Sequence, residues 1–400
     1  MIFQILDRKQ ECYGLYANGQ IILSDQFKFA DLTKTWNYAA ALKDEPTPIE
    51  CAQIYCHGQK LEQVCPDNLK TSWAEQHGKL KAFFRSFIEA KVSIDENCFF
   101  ELVPEQFLLE YCELKNKICA HVFENYERPP NYKLLYDLSK VVEEIGHQKL
   151  NVDLQALKTN LHTISARNFL KSVSRAKPYC SYDIYGSKTG RLTTRKGSFP
   201  ILTMNRNYRK ILKPNNDWFV EFDFNAAELR VLLSLLNKEQ PAEDLHMWNL
   251  KNIYRNTGDR QQAKERIFAW LYNPNSKDYL SSKAYDRDKI KKEYWDGTAI
   301  RTPFGRTVLA DEHHSINYLI QSTCADNVAQ QLINIYDFLM DKKSKVAFAI
   351  HDSVVIDLSD EDRKYLLDMA EIFANTKLGK YPVNISAGKD FGSMKRLNIQ

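Results

Sequence analysis

Trp218-Phe219-Val220-Glu221-Phe222-Asp223-Phe224-Asn225-Ala226-Ala227-Glu228-Leu229-Arg230 changes its periodicity halfway along. Trp218 to Phe224 is an apolar run with the reading of a strand. Ala226 to Leu236 has the reading of a helix, with Asn225 in the N-cap position and Glu228 at the spacing of a capping box. Asp223 therefore closes a buried strand. A carboxylate there is costly to bury unless something pairs with it.

A second acid has the same setting. Val346 to Leu358 is apolar and β-branched around a polar tip, His351-Asp352-Ser353, and reads as a hairpin. Taken singly, each aspartate is more often a cap or a turn residue. Two acids on neighbouring strand ends suit a pair of magnesium ions. Between them, Gly258 to Asn273 reads as a helix stopped by Pro274, and Tyr318 to Met340 as a long helix. Arg260, Lys264, Phe268 and Tyr272 lie four apart, so each step rotates by about 40° and the four form one slowly drifting stripe. Two cations followed by two aromatics suit a nucleotide, with the triphosphate at one end and base and sugar at the other.

Charge points the same way. From Lys158 to Lys213 there are 13 Lys and Arg against one acid, Asp183, a local excess of +12 in a chain whose net charge is +4. Such a surface fits a phosphate backbone. At 400 residues, 44% hydrophobic and 26% charged, the chain has ordinary globular usage and room for two or three domains. No apolar run approaches the roughly 18 residues of a membrane span. Met1 to Leu6 reads as a strand and lacks the basic stretch of a signal peptide. A cytoplasmic protein is expected. Cys51, Cys56 and Cys65 lack Cys-x-x-Cys spacing and read as buried thiols rather than zinc ligands. Residues 1–60 look β-rich, with a hairpin at Ala17-Asn18-Gly19-Gln20 and a further strand at Ile49–Cys56. Leu80, Phe83, Phe84, Phe87 and Ile88 recur at helical spacing, as do Leu134, Leu135, Leu138, Val141, Val142 and Ile145. Arg128-Pro129-Pro130-Asn131 breaks the helical run and marks a boundary.

Asp223-Phe-Asn-Ala-Ala-Glu228-Leu-Arg230 closely resembles motif A of family A DNA polymerases, and Ala349-Ile350-His351-Asp352-Ser353 resembles their motif C. The stripe from Arg260 to Tyr272 has their motif B spacing. Thr189-Gly190-Arg191-Leu192 looks like the family's Thr-Gly-Arg-Leu signature. Asp244-x-His246 resembles the segment before the fingers helix, and Asn317-x-x-x-Gln321-x-Thr323-x-Ala325-Asp326 the one between motifs B and C.

The resemblance implies an α+β right-hand polymerase with an antiparallel-sheet palm, helical fingers, a reduced thumb and a small β-containing N-terminal module. It implies domains at 1–130 and 131–400, the latter divided into thumb and connecting helices at 131–188, palm at 189–245 and 300–400, and fingers at 246–299. Asp223 and Asp352, with Phe224, would hold two Mg2+ ions, with Mn2+ as a substitute. Lys264 would be the general acid to pyrophosphate. His246, Arg260, Lys264, Phe268, Tyr272 and Glu228 would bind the deoxynucleoside triphosphate, with Glu228 excluding a 2′-hydroxyl. Arg191, Thr189, Asn317, Gln321, His351 and Arg230 would meet primer–template DNA.

The resemblance has gaps. Motif C usually continues with Glu, where this chain has Ser353, and the fingers helix has Ala269 and Asn273 where glycine is favoured. No Asp-x-Glu of a proofreading exonuclease occurs before residue 130, so an exonuclease-less enzyme is expected, with a processivity factor or separate exonuclease as a partner. Such a compact form suits a phage or other mobile replicon acting in a bacterial cytoplasm. Two rivals remain: a single-subunit RNA polymerase, and a catalytically inactive DNA-binding relic.

Overall fold

The computed structural model describes residues 3–6, 13–17, 19–23, 32–36, 38, 42, 49–93, 97, 99–160 and 162–397. They form two compact units, 1–147 and 148–400.

In the first unit, strands β1 (Phe3–Leu6), β2 (Tyr13–Ala17) and β3 (Gln20–Leu23) make an antiparallel sheet. The expected hairpin sets Ala17 opposite Gln20, and Gly19 takes the left-handed conformation (φ 83°) its turn needs. Asn18, Met1 and Ile2 lie outside the described residues. The strand expected at Ile49–Cys56 is cut short. Only Glu50–Cys51 is extended, and Ala52–Tyr55 is helical. The Tyr132 hydroxyl accepts from Cys51 N (2.8 Å) and donates to Ile49 O (3.3 Å), so these backbone groups find a side chain rather than a further strand.

Three longer helices follow: α1 (Lys70–Glu89), α2 (Glu105–Asn125) and α3 (Tyr132–His147). Helix α3 buries Leu134, Leu135, Leu138, Val141, Val142 and Ile145 as their spacing predicts. The stripe on α1 is narrower than expected. Phe83 and Phe87 join the cluster around Phe107, whereas Phe84 and Ile88 are 45% and 57% exposed. Cys51, Cys56 and Cys65 are buried free thiols. Burial pushes Cys51 up to about 12 and Cys56 up to about 11. The units divide at 147/148 rather than at 130/131. Pro129 and Pro130 do interrupt the helices, but Tyr132 fastens α3 to Ile49 and Cys51, so residues 132–147 stay with the first unit.

The second unit is built on a five-stranded antiparallel sheet. Its strands are β4 (Trp218–Phe224), β5 (Lys345–Ile350), β6 (Ser353–Leu358), β7 (Val383–Gly388) and β8 (Lys395–Arg396), in the order β5-β6-β4-β7-β8. The same unit holds α4 (Ala227–Leu235), α5 (Leu245–Asn252), α6 (Arg260–Tyr272), α7 (Arg287–Tyr294), α8 (Ser315–Leu339) and α9 (Leu366–Ala374), of which α8 and α9 pack on the sheet. Strand alternation gives β4 two faces. Phe222 and Phe224 pack on Phe373 of α9 (5.9 and 4.4 Å between rings). Phe219, on the other face, packs on Phe348 and Phe391. Glu221 and Asp223 continue that second face towards the end of the sheet. Helix α8 begins three residues before the expected start, and α6 lies inside its expected span, capped by Asp259 with Gln262. Among the described residues, no helix is long and apolar enough to cross a membrane.

Candidate active site

Strands β4 and β6 bring the two acids together. Asp223 pairs with Ser353, and Asp352 is the next residue, in the two-residue tip between β5 and β6. His351, beside it, takes a left-handed φ of 50°. Neighbouring strands run about 4.8 Å apart, so the two acids share one small volume. Asn384 Nδ2 donates to Asp223 Oδ2 (3.2 Å), and Arg396 Nη2 fixes that amide by donating to its oxygen (2.8 Å). Burial, with repulsion from Glu221 and Asp352, pushes Asp223 up to about 6 against the Asn384 hydrogen bond and the field of Arg206. The buried Cys324 thiol lies 3.6 Å from Asp352 Oδ1. Phe224 turns its ring into the opposite face of the sheet, so only its backbone is open to a cation here.

Helix α4 begins differently from the capping box. Its N-cap is Ala226, in the left-handed conformation (φ 54°) and without a side-chain cap. That turn carries Asn225 away: its Nδ2 donates to Asp244 (3.1 Å) and its Oδ1 accepts from Leu245 N (3.3 Å). Glu228 is freed for two other partners, Arg191 Nη2 (2.6 Å) and the Tyr272 hydroxyl. Three separate motifs thus converge on one carboxylate. Arg230, expected at DNA, is instead wholly buried. Its guanidinium donates to the carbonyls of Asn225 (2.7 Å), Pro241 (2.9 Å) and Glu243 (3.0 Å), so it holds the α4–α5 connection.

Along α6 the stripe survives intact. Phe268 and Tyr272 stack (5.8 Å, 6° apart), and His246 meets Phe268 at 5.8 Å. Lys264 is exposed. Arg260 grips Asp244 in a fork (Nε 3.0 Å, Nη2 2.7 Å). Burial would raise the Asp244 carboxyl, but hydrogen bonds from Arg260, Asn225 and Met247 N hold it well below the usual carboxylate range. Burial and the nearby Arg260 and Lys264 charges take His246 down to about 4, so it is neutral at pH 7; its Nδ1 is buried with no hydrogen-bond partner.

The Thr189–Arg191 loop rests on a support that the sequence reading did not single out. Arg306 Nη2 donates to the buried Asp326 Oδ1 (2.7 Å), with Nε doubly placed on the same carboxylate and Thr302 alongside. Gly190 (φ 78°) lies on this guanidinium: a Cβ there would sit 2.4 Å from Arg306 Cζ. Thr189 is buried. Asn317 and Gln321 bond to each other one turn apart on α8. From the basic stretch, Arg167, Lys171, Arg175, Lys177, Lys188, Arg195, Lys196, Arg206 and Lys210 are exposed.

Glu221, Asn384 and Arg306 also went unread in the sequence. The i, i+2 spacing of Glu221 and Asp223 on a strand was a usable signal. Nothing local announces Asn384 or Arg306. Among the described residues, no group of three or more His, Cys, Asp or Glu is arranged to hold a metal ion; the cation-binding candidates are the two aspartates.

No family model matches this chain, and no curated protein matches it. Among solved structures it is similar to the POL domain of Pol1 from M. smegmatis, solved in complex with DNA primer-template and dNTP. Identity is 11%, the TM-score is 0.68, and the match covers 98% of this chain and 95% of that one. The chain has the fold of a DNA polymerase domain, with an antiparallel sheet at its centre.

Proposed function

We propose that this chain is a template-directed DNA polymerase of the family A type, adding deoxynucleotides to a primer 3′ end. The observation that carries the reading is the pairing of β4 with β6, which seats Asp223 beside Asp352, with the half-buried Asp223 short of neutralising partners. The repulsion between the two carboxylates and the burial of Asp223 fit the pair to divalent cations. Asp223, Asp352 and the backbone of Phe224 would hold Mg2+, with Mn2+ as a substitute. When bound, such ions supply Lewis-acid polarisation of phosphoryl oxygens.

The remaining roles fall to this chain's own side chains. Arg260 and Lys264 supply cations for the triphosphate at one end of α6, and Lys264 gives a proton to the departing pyrophosphate. The neutral His246 donates a hydrogen bond without adding charge. Phe268 and Tyr272 offer flat surfaces to sugar and base. Glu228, braced by Arg191 and Tyr272, crowds the 2′ side of the sugar. Arg191, Asn317, Gln321 and His351 meet the primer–template, and the exposed basic residues follow its phosphates. Primer–template DNA and dNTP are what the M. smegmatis neighbour holds.

The wider reading rests on the same resemblance: no proofreading by residues 1–130, a partner that supplies processivity, and a phage or mobile replicon in a bacterial cytoplasm. The test is primer extension with Mg2+, using wild type, Asp223→Ala and Asp352→Ala, with ribonucleotides run in parallel. Extension with deoxynucleotides, lost in both variants, is the expected result. No extension by the wild type overturns the reading, and extension with ribonucleotides alone transfers it to RNA polymerases.

A further inference from the structure

Glu221 stands two residues before Asp223, on the same face of β4 and at mid-strand. Its neighbour across the strand pair is Ser353, diagonal to it in register. Ser353 is buried, and its Oγ lies 3.0 Å from Glu221 Oε1 and 3.0 Å from Ile350 O. That one hydroxyl therefore fastens the tip of the β5–β6 hairpin, where Asp352 sits, to strand β4, where Asp223 sits. Glu221 also adds repulsion at Asp223. A side chain kept for packing alone would gain nothing from that third negative charge, and an amide of the same shape would accept the same hydrogen bond. The positive charge nearby is spread rather than paired off: Arg206 acts on Asp223, while Arg209, stacked 4.5 Å over Phe391, feels Glu221.

We infer that Glu221 is a positioning residue of this site, which holds Asp352 against Asp223 through Ser353 and adds a negative charge that gathers the cations. The inference rests on the polymerase reading. It also accounts for Ser353 standing where the resemblance leads one to expect a glutamate. A carboxylate stands at the diagonal position instead, and the serine hydroxyl orients it.

The test uses the full chain with a primer–template whose primer lacks a 3′-hydroxyl, plus the matching dNTP. Mn2+ binding is read by the electron paramagnetic resonance of free Mn2+. In parallel, primer extension gives the Mg2+ concentration for half-maximal rate and the dNTP KM, and thermal melting reports folding. Glu221→Gln is expected to weaken Mn2+ binding about tenfold and to raise the Mg2+ requirement equally, the size of one charge-assisted interaction, with the dNTP KM unchanged. The exchange variant, Glu221→Ser with Ser353→Glu, is expected to return Mn2+ affinity to within about threefold of wild type. Unchanged Mn2+ affinity in Glu221→Gln overturns the inference. So does a loss that comes with a lowered Tm and is not recovered by the exchange, since that marks a purely structural role. A wild type that extends primers normally alongside either outcome leaves the polymerase reading standing. A wild type that neither binds Mn2+ nor extends primers overturns both.

Discussion

Strands β4 and β6 carry an aspartate at each end of their pairing, and although burial raises both carboxyls, the two ends supply them with different donors. At one end Asp357 of β6 accepts Asn215 N on Oδ2 (2.8 Å) and Asn216 N on Oδ1 (2.9 Å). Both oxygens are matched by backbone donors that cannot leave. At the other end Asp223 has the Asn384 amide and faces two further carboxylates. A carboxylate that serves the fold is satisfied by the fold. One left short of donors among like charges is held ready for something that arrives from outside.

The largest expected effect tests that contrast directly. Asp223→Ala and Asp352→Ala should each lower primer extension by about a thousandfold or more, because a bound cation contributes several kcal/mol at the transition state and each 1.4 kcal/mol is tenfold. Asp357→Ala should leave the rate per folded molecule within about twofold of wild type, a difference of well under 1 kcal/mol. Single-turnover rates decide; an Asp357 variant as dead as the other two would erase the distinction.

Helix α6 belongs with the under-neutralised end. If Phe268 faces the sugar, Phe268→Tyr should place a hydroxyl where a missing 3′-hydroxyl leaves a gap. The dideoxy-to-deoxy incorporation ratio should then rise roughly ten- to a hundredfold, the worth of one charge-assisted hydrogen bond. An unchanged ratio would detach α6 from the tip of the sheet.

Stability against pH tests the Asp223 end without any substrate. Asp223 has a folded value of about 6 against an ordinary 3.8. With the folded value above the unfolded one, the folded state holds the extra proton, so this contribution is full below about pH 4 and is lost as pH rises through 6. Two units amount to roughly 2–3 kcal/mol. In urea titrations without divalent metal, Asp223→Asn should be more stable than wild type at pH 7 by about that amount, with the gap closing towards pH 4. Equal stability at both pH values would mean that Asp223 is well neutralised after all.

The smallest effect is the reverse substitution at the satisfied end. Asp357→Ala removes the acceptor of the Asn215 and Asn216 N–H groups, which lie on exposed residues, and should lower stability by about 0.5–1.5 kcal/mol. A neutral result in the urea midpoint would show those donors are cheaply rehydrated.

The candidate site was legible in the sequence where its residues lie in short local spacings. Asp223 to Glu228, the four-residue stripe of α6 and the His351–Ser353 tip each occupy a single element or turn. What failed was tertiary. The capping box needed only Asn225 and Glu228 at the right spacing, yet a left-handed Ala226 gave both side chains other partners. Arg230 reads as a helix-surface cation until the α4–α5 connection folds over it. The unit boundary followed a tyrosine hydroxyl more than 80 residues away in sequence, not the prolines. No local pattern encodes such long-range choices.

The packing of Gly190 on Arg306 has a consequence for how this sequence can change. An added methyl at 190 meets the guanidinium, whose charge is the counterweight to a buried Asp326. Trimming Arg306 to make room would strand that acid, at a cost typical of broken buried pairs, about 3–5 kcal/mol. Neutralising Asp326 first would leave the arginine unpaired. The three positions are therefore epistatic: each single step away from Gly, Arg and Asp is penalised, although a joint replacement need not be. Drift among descendants should leave this trio fixed or change it as a set.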